Sequence, residues 1–472
     1  MSLSEKTALV LGAGVAGLAA AWRLAEAFPG RVIVIEKRPY IGGLAATVDV
    51  LDRRFDLGSH RIHQTFQPDI LRIIRELCRG DILTRRRHGR ILIEDHLMNY
   101  PPNAVDVLQT LGARRLGTFA AGMLRARVRA LLTPPRQESF ETYARDKLGE
   151  EIYRSFYRPY AWKLWGQDPS LISHEPAMRR TRQGFWTEIR RLVKRRKETS
   201  YLYPADGIGA VAAGLAARAT ANGARIILGA EALRLELNPD GAATALAFRD
   251  NHGMETKLAC DLVVATISPE NLLALLPSRS AGPAPQETLK WRALRIVFFC
   301  TALSLPRECE TYYIPQADYA IGRISEVAKY SPRLAPPGVS PALTLEIPCS
   351  AGDTLWNMPD LELFQLCAAE LGRLRLSPPR ATYPLAAASI KLDTVYPIHL
   401  RGWRERYQTL RRNFSSIPNL YRAGRTALFM HCNLDHSIMM GLKLGEWLRL
   451  PAGEKPPWSE SEEGFAEYYV RE

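Results

Sequence analysis

The chain opens with the stretch that decides its fold, Thr7-Ala8-Leu9-Val10-Leu11-Gly12-Ala13-Gly14-Val15-Ala16-Gly17. Its apolar first half predicts a β-strand, and its glycines have the spacing G-x-G-x-x-G. A predicted helix over residues 18–28 follows, and a second apolar strand over residues 31–35 ends at Glu36. A strand, a glycine-rich turn, a helix and a strand ending in an acid together indicate a dinucleotide-binding βαβ unit.

Each of these residues has a physical role in holding a nucleotide. Gly12 permits the tight turn, Gly14 lets the backbone approach the pyrophosphate, and Gly17 lets the helix pack closely on the strand. The N-terminus of the helix faces the phosphates, and Glu36 accepts hydrogen bonds from the ribose hydroxyls. We therefore predict an α/β fold with a Rossmann-type nucleotide-binding domain.

A glycine pair shortly after the acid bears on which nucleotide is bound. Gly42 and Gly43 permit positive φ and a close passage of the backbone along a bulky cofactor. An ordinary turn is the alternative, but enzymes that bind only NAD have no particular need for glycines here. The arrangement resembles the flavin-binding start of the amine oxidase, protoporphyrinogen oxidase and UDP-galactopyranose mutase superfamily. That resemblance implies that the cofactor is FAD.

Composition and cysteine usage limit the class of protein. A chain of 472 residues, of which 46% are hydrophobic, fits two or three domains. No apolar run is long enough to span a bilayer, and the nucleotide motif lies so close to the N-terminus that we expect no targeting peptide. The seven cysteines are scattered without a C-x-x-C pair, so we expect neither a disulfide scaffold nor a metal site. A reducing cytoplasm fits this pattern best.

The net charge of +14 predicts an anionic partner. Solvated helix faces would explain the basic runs, and so would attraction of a phosphorylated or acidic small molecule toward a cleft. We expect no nucleic acid, because no recognised binding module accompanies the charge. The main runs are Arg85–Arg87, Arg179–Arg182 and Arg190–Lys197.

The segment 111–136 combines apolar residues with a series of arginines. It is compatible with a basic amphipathic helix on a membrane surface. It is equally compatible with a cap helix whose apolar side faces inward, and we favour the cap. Its arginines include Arg114, Arg115, Arg125, Arg127 and Arg129.

The patterns along the chain predict a discontinuous FAD-binding domain with two insertions. Residues 76–199 predict a helical cap, and residues 285–395 alternate apolar and polar positions as in an antiparallel sheet on the substrate side. Residues 451–472 are rich in proline, glutamate and serine and are expected at the surface. The segments assigned to the FAD-binding domain are 1–75, 200–284 and 396–450.

A second site-like segment is Phe55-Asp56-Leu57-Gly58-Ser59-His60-Arg61. Gly58 and Ser59 are small, as a loop beside a planar ring system requires. His60 is the candidate catalytic residue, since its imidazole can contact the ring or bond to a cofactor carbonyl. A histidine with a purely structural role is the alternative.

A third segment near the C-terminus combines Gly424-Arg425 with Asn433-Leu434-Asp435-His436-Ser437. Asn433 or Asp435 can cap a helix over residues 437–448. A helix N-terminus aimed at the pyrimidine edge of a flavin favours the negative charge that reduction places there. A well-capped helix without a ligand is the alternative.

The chain as a whole resembles UDP-galactopyranose mutase, particularly the eukaryotic kind, and bacterial relatives labelled amine oxidase-like or protoporphyrinogen oxidase-like. The matching segments extend over nearly the whole chain. They are Gly12–Gly17, Gly42–Ala45, Phe55–His60, Tyr100-Pro101, Ser139–Glu141, Arg158–Trp165, Tyr201–Gly209, Tyr330–Pro332, Tyr396-Pro397 and Asn433–Ser437.

The resemblance implies a role for each matching position. It places Gly58 to His60 against the isoalloxazine and Asn433 to Ser437 at its pyrimidine side. It implies that Arg180 and Arg323 hold a substrate diphosphate, a task that suits the planar fork of a guanidinium. The further positions that it places at the substrate are Tyr313 and Tyr396 near the phosphates and Trp165 on the wall.

Three departures put the substrate, though not the flavin, in question. Phe429 stands where the mutases have a phosphate-binding tyrosine, Ala161 where they have an amide, and the interval 425–433 is two residues shorter. The first hypothesis is a mutase that acts on a nucleotide sugar or related anionic substrate through the flavin N5. The second is an oxidoreductase that transfers hydride from an apolar or amine substrate to the flavin. The arginines and tyrosines just named favour the mutase.

Overall fold

The structure is a computed structural model that describes residues 6–133, 138–175, 200–277, 288–301, 304–306, 309–335, 341–374, 376, 384–466 and 468. Its strands are β1 (Lys6–Leu11), β2 (Gly30–Glu36), β3 (Thr47–Val50), β4 (Arg53–Asp56), β5 (Ile62–His63), β6 (Ile82–Arg86), β7 (Gly89–Ile93), β8 (His96–Tyr100), β9 (Ser200–Pro204), β10 (Arg225–Leu228), β11 (Glu231–Leu237), β12 (Ala243–Arg249), β13 (Glu255–Ala259), β14 (Leu262–Ala265), β15 (Lys290–Cys300), β16 (Thr311–Tyr313), β17 (Arg323–Glu326), β18 (Ala342–Cys349), β19 (Ala386–Ile398) and β20 (Leu420–Arg422).

The helices lie between these strands and at the C-terminus. They are α1 (Val15–Ala25), α2 (Pro68–Leu77), α3 (Ala104–Leu132), α4 (Phe140–Leu148), α5 (Glu150–Ile152), α6 (Arg158–Trp165), α7 (Gly209–Ala221), α8 (Pro269–Ala274), α9 (Val327–Tyr330), α10 (Thr354–Asn357), α11 (Asp360–Arg373), α12 (Trp403–Ser415), α13 (Leu434–Leu448) and α14 (Trp458–Phe465).

The nucleotide motif lies on a parallel sheet with the strand order β10-β2-β1-β14-β20. Parallel strands covered on both faces are apolar on both faces. In β1, Ala8 and Val10 pack with α1, α7 and α13, whereas Leu9 and Leu11 pack with α12 and the small antiparallel sheet β11-β12-β13. The strands of the parallel sheet come from well-separated parts of the chain.

Small residues bring α13 and the end of β20 close to α1. A Cβ on Gly441 would lie 2.1 Å from the carbonyl oxygen of Ala16, and one on Gly445 would lie 2.5 Å from the Cβ of Arg23. Gly424, which follows β20 with φ +94°, would place a Cβ 2.6 Å from that of Ala16. These positions admit only glycine if the helices keep this spacing.

The second large sheet has the order β19-β15-β18-β17-β16-β7-β8, and it differs from the expected antiparallel insertion. Its strands β7 and β8 come from the region predicted as a helical cap, and β7 pairs with β16 in parallel. This hairpin was not predicted from the sequence because its turn is formed by Glu94 and Asp95, which have φ of +47° and +63°. Such turns are usually signalled by Asn-Gly or Asp-Gly.

The helical part of the region 104–165 is interrupted at glycines. Gly112, with φ +82°, breaks the helical geometry inside α3, and Gly149, with φ +86°, separates α4 from α5. Among the helices of the described residues, none is both long and apolar enough to cross a lipid bilayer.

The C-terminal segment differs from the expected surface tail. Trp458 and Phe465 of α14 are 7% and 2% exposed and join the core that contains α1 and α13. Glu462 of the same helix accepts a hydrogen bond of 2.7 Å from the guanidinium of Arg422. The two aromatic side chains outweigh the polar composition of this segment, because burying them stabilises the helix against the core.

Candidate functional site

A cavity of about 470 Å³ lies at the carboxyl ends of β1 and β2 and extends to the second large sheet. This volume falls in the usual range for sites of small molecules and cofactors. Predicted residues that line it are Gly12, Gly14, Glu36, Gly43, Ser59, His60, Tyr313, Arg323, Tyr396, Gly424, Arg425, Asn433 and Ser437.

The glycine loop has the geometry that a pyrophosphate requires. Gly12 has φ +104°, and a Cβ on Gly17 would lie 2.0 Å from the carbonyl oxygen of Gly12. Gly14 is the N-cap of α1 and provides no side-chain hydrogen bond to the first turn. An added Cβ at Gly14 would meet no described atom within 4 Å, so its surface faces open space. The free N–H groups of this turn can therefore meet an anion.

Glu36 is held in place at the end of β2. Its Oε2 accepts a hydrogen bond of 2.8 Å from the amide of Ala13, and its Oε1 accepts one of 2.9 Å from the amide of Arg38. A carboxylate has about four acceptor positions, so both oxygens keep capacity for ribose hydroxyls. The amide of Gly42 donates to the carbonyl of Ala13 at 2.8 Å, which draws the glycine pair against the first turn.

The loop after β4 is fixed by a buried carboxylate. Asp56 accepts hydrogen bonds from the hydroxyl of Thr47 at 2.6 Å, from the hydroxyl of Tyr203 and from the amide of Ile208. Burial raises the pKa of Asp56, although these bonds and the nearby His60 oppose the shift. Gly58 follows with φ +104°, a conformation that side chains rarely adopt.

His60 lines the cavity with a ring that stays neutral near pH 7. Burial lowers its pKa, the charge of Arg323 lowers it further, and Asp56 and Glu346 oppose the shift. Its Nε2 lies 3.3 Å from the carbonyl oxygen of Leu57. A neutral imidazole in this position can donate or accept one hydrogen bond without adding charge.

The C-terminal segment contributes only some of its predicted contacts. Asn433 is the N-cap of α13, and Asn433 and Ser437 both line the cavity. Asp435 is 2% exposed, and the ring of His436 stacks on Tyr468 at 4.8 Å. Asp435 and His436 therefore lie away from the cavity, on the part of the helix that faces the C-terminal segment. Successive helical residues point in different directions, so one segment cannot bring all its side chains to one site.

Arginines gather around Tyr313 on the side of the second sheet. Arg61 donates from Nη1 to the hydroxyl of Tyr313 at 3.3 Å, and Arg87 and Arg323 also line the cavity nearby. Burial acts to raise the pKa of Tyr313, but the charges of Arg61, Arg87 and Arg323 outweigh it and lower that pKa. The guanidinium of Arg87 lies 5.6 Å from the ring of Tyr100 and has no carboxylate partner among the described residues. Three guanidinium groups therefore meet on this side of the cavity, of which those of Arg61 and Arg323 are paired with Glu310 and Glu346.

Arg323 is paired within the protein. Its Nε donates to Oε1 of Glu346 at 2.6 Å, and its Nη2 donates to Oε2 of the same carboxylate. Oε1 of Glu346 also accepts a hydrogen bond of 3.0 Å from the amide of Ser59. One carboxylate thus connects the predicted phosphate ligand to the loop predicted to hold the flavin.

Several predicted substrate residues lie elsewhere. Trp165 is 2% exposed and packs on Phe140 at 5.1 Å, whereas its neighbours Lys163 and Leu164 line the cavity. Ala161 is completely buried. The prediction for Trp165 was wrong by one helical position, because the wider ring fills the core beneath the wall. Arg180 lies outside the described residues.

Phe429 does not remove a hydroxyl from the cavity. Its ring is completely buried and packs on Trp291 at 4.9 Å, and its carbonyl accepts a hydrogen bond of 2.9 Å from Nε2 of His399. His431 lines the cavity instead and stacks on Tyr396 with 5.9 Å between the ring centroids. Position 429, at which this chain differs from the mutases, is therefore part of the core.

Sequence reasoning missed several polar residues of the wall, among them Arg61, Arg87, Lys163 and Glu346, and only some carried a signal. Arg61 directly follows His60 in the quoted motif, and Lys163 lies within the matching segment 158–165. Arg87 belonged to a basic run for which solvated helix faces and attraction of an anionic molecule toward a cleft were both open explanations. Nothing in the sequence indicated that Glu346 lies in the site, since a glutamate within an apolar strand predicts an exposed side chain.

Comparison with known proteins identifies the family. The model of the family described as "Flavin containing amine oxidoreductase" matches residues 15–442, which is most of the chain. The chain belongs to this family. It is therefore a flavoenzyme, and its cofactor is FAD.

Individual relatives are distant. A Klebsiella pneumoniae protein named "Probable UDP-galactopyranose mutase" is 23% identical over 175 residues, which are 36% of this chain and 44% of that protein. The matched part therefore spans less than half of the length of this curated relative. A solved structure of reduced UDP-galactopyranose mutase matches with a TM-score of 0.81 at 19% identity and covers 99% of this chain and all of that one. Cyclohexylamine oxidase from Brevibacterium oxydans matches with a TM-score of 0.63 at 16% identity, over 94% of this chain and all of that one. At these identities the matches show a shared fold.

The cavity of this flavoenzyme fits FAD. The open face of Gly14, the uncapped first turn of α1 and the acceptor atoms of Glu36 provide for the pyrophosphate and the ribose. Ser59 and His60 line the part of the cavity that continues from this cradle, and Asn433 lines it from α13. The residues present can therefore hold the adenine dinucleotide part and a ring system.

Proposed function

We propose that this flavoenzyme is similar in its chemistry to UDP-galactopyranose mutase and acts on a nucleotide sugar or a related anionic substrate. The observation that carries the proposal is the gathering of Arg61, Arg87 and Arg323 around Tyr313 in the cavity wall, where Arg87 has no carboxylate partner among the described residues. A site for an apolar substrate has no use for a guanidinium without a carboxylate partner in its wall, since a cation that is partly removed from water carries a desolvation cost.

The arginines suit the recognition of phosphate. Arg87 lines the cavity without a described carboxylate partner, so its guanidinium is available for a bidentate bond to phosphate oxygens. Arg61 is restrained by Glu310, Thr311 and Tyr313, which orients it and limits its motion. We propose that Arg323 and Tyr396 complete the anion site with them.

Other residues prepare the site around the cofactor. When bound, FAD supplies N5 as the reacting atom. We propose that Ser59 and His60 contact the ring from one side, that Asn433 and Ser437 approach it from α13, and that the neutral His60 adds a hydrogen bond without charge.

The oxidoreductase remains a second candidate because of one observation. Glu346 neutralises Arg323, so one of the two arginines assigned to the diphosphate is already satisfied within the protein. A substrate without phosphate would leave this pair undisturbed. In that case the flavin would accept hydride from an amine or apolar substrate, and the remaining arginines would serve the fold.

We also propose the finer arrangement of the chain. The FAD-binding domain would consist of residues 1–75, 200–284 and 396–450, with the substrate side formed by the intervening segments. This assignment is supported by the parallel sheet, whose strands all fall within the first set. The cysteines are buried free thiols, which supports a reducing cytoplasm as the site of action.

One experiment separates the two reactions. Purified holoenzyme, reduced with dithionite under nitrogen, is incubated with a panel of UDP-, GDP- and dTDP-linked hexoses, and the products are examined for a change of sugar ring size. In parallel, the oxidised enzyme receives a panel of primary and cyclic amines while flavin bleaching is followed. A change of ring size supports the mutase. Bleaching by an amine together with no sugar product would overturn it.

A further inference from the structure

The outward face of α3 carries an apolar stripe that no other described residue of the protein covers. Its larger members are strongly exposed, with Leu124 at 66% and Leu131 at 86%, and the adjoining Leu132 is 79% exposed. The intervals of three and four residues place the stripe along one side of the helix. The apolar stripe consists of Ala113, Gly117, Ala120, Leu124, Val128 and Leu131.

The opposite face of the same helix packs on the body of the protein. Gly122 and Ala126 are buried, and a Cβ on Gly149 would lie 2.6 Å from the backbone of Gly122. The helix is therefore fixed to the body of the protein by one side. From Val128 onward every residue of α3 is exposed, so its last turn projects from the body.

Cations border the apolar stripe along one flank. Arg114, Arg125 and Arg129 each follow a stripe residue by one position, which is a rotation of about 100° around the helix. All three are exposed, and none has a carboxylate partner among the described residues. Residues 107–132 contain five arginines and no acidic residue.

We propose that this face of α3 docks on the surface of an anionic lipid bilayer. The leucines of the projecting turn would enter the boundary between headgroups and acyl chains, and the arginines would remain at the level of the phosphates. Apolar area and basic charge on one helix face are the two features that such binding requires. No helix of the described residues crosses a bilayer, so the contact is peripheral.

Charge distinguishes this occupant from a second copy of the chain. Two copies related by a two-fold axis would bring the same surface together. Arg125 and Arg129 would then face their own equivalents, and no acidic side chain of residues 107–132 is present to compensate them. A bilayer containing anionic lipid supplies the missing negative charge.

The test is co-sedimentation of the purified holoenzyme with lipid vesicles. We expect binding to vesicles of phosphatidylcholine with phosphatidylserine, weaker binding as salt is raised, and little binding to phosphatidylcholine alone. The double variant Arg125→Gln/Arg129→Gln should lower the partition coefficient by about 25-fold, or about fivefold for each arginine. The double variant Leu131→Ser/Leu132→Ser should also lose binding.

A matched control uses leucines that are equally exposed at other places. Leu361 and Leu385 are 70% and 68% exposed, and the double variant Leu361→Ser/Leu385→Ser should bind vesicles as the parent does. Retained flavin absorbance shows that each variant is folded. Absence of vesicle binding by the parent, or equal loss in the control, would overturn the proposal. A parent dimer in sedimentation velocity that only the Leu131→Ser/Leu132→Ser variant dissociates would overturn it in favour of a second copy.

Discussion

Arg323 and Glu346 form a bidentate ion pair in the cavity wall, with 2.6 Å between Nε of the arginine and Oε1 of the carboxylate. The side chain of Glu346 is 4% exposed, and that of Arg323 is 22% exposed. The same Oε1 also accepts the amide hydrogen of Ser59. A phosphate that approaches Arg323 must therefore compete with a carboxylate that the protein cannot easily move.

This pair predicts opposite effects for its two members. Arg323→Gln should weaken the binding of UDP to the reduced enzyme by roughly ten- to a hundredfold, the equivalent of losing a charge-assisted bond of about 1.5–3 kcal/mol. Glu346→Gln should tighten it, because the amide still accepts from Ser59 but no longer opposes a phosphate. Titrations followed by flavin fluorescence measure both.

The control for this pair is Arg373→Gln, which breaks an exposed ion pair with Asp318. It should leave UDP binding unchanged. Weaker binding of UDP to Glu346→Gln would contradict a phosphate at Arg323. Failure of the parent protein to bind UDP at millimolar concentration would argue for the oxidoreductase.

Gly14→Val should give folded protein without FAD. The backbone of Gly14 has φ −69° and ψ 169°, which valine adopts readily, and its Cβ would meet no described atom within 4 Å. The side chain would instead occupy the space of the pyrophosphate. Flavin absorbance per mole of protein and the circular dichroism spectrum test the two halves of this prediction. The matched control is Gly464→Val at an exposed position of helix α14, which should keep its flavin.

His60→Ala should retain FAD but change its redox behaviour. The ring lines the cavity and is neutral near pH 7, so its removal deletes at most one hydrogen bond and no charge. A bond of about 1 kcal/mol corresponds to a change of roughly 20 mV in a two-electron potential. Spectroelectrochemical titration measures this shift. A potential and an absorption spectrum equal to those of the parent would show that His60 is only structural.

Features formed by residues that are adjacent in the chain could be predicted from the sequence, whereas contacts between distant residues could not. The turn around Gly12 and Gly17 was predictable because strand, glycines and helix are adjacent in the chain. The contact between Ser59 and Glu346 joins positions 287 residues apart, and no local pattern encodes it. The direction in which a side chain points was also hard to predict. Trp165 and Leu164 are adjacent in the chain, but Trp165 faces the core and Leu164 faces the cavity.

Gly441→Ala should destabilise the holoenzyme, because its Cβ would lie 2.1 Å from the carbonyl oxygen of Ala16. Relieving this contact requires α1 and α13 to move apart, at a cost of about 1–3 kcal/mol. Both helices begin at the cavity, so flavin should also dissociate more readily. Thermal unfolding and the rate of flavin release are the measurements. Gly464→Ala, which meets no described atom within 4 Å, should not lower the melting temperature, and an equal loss there would refute the packing argument.

The lowered pKa of Lys163 predicts how anion binding depends on pH. Its Nζ donates to the carbonyl of Gln316 at 3.0 Å and to that of Tyr319, and the side chain lines the cavity. Burial lowers the pKa of this lysine to about 8, although Glu370 and Asp318 oppose the shift. An anion favours the protonated form, so binding raises this pKa. Affinity for a nucleoside diphosphate should therefore be constant below about pH 8 and fall as pH rises through that value.

Two variants separate Lys163 from other groups that titrate in the same range. Lys163→Met should lower affinity by about tenfold near pH 7, the equivalent of roughly 1.4 kcal/mol, and should flatten the profile above pH 8. Tyr313, whose pKa is also lowered, is tested by Tyr313→Phe, which should keep the fall in affinity if Lys163 causes it. Binding of UDP measured by calorimetry in buffers of different ionisation enthalpy reports the proton uptake directly. A profile that is unchanged in Lys163→Met and flat in Tyr313→Phe would assign the titration to the tyrosine and remove the lysine from the anion site.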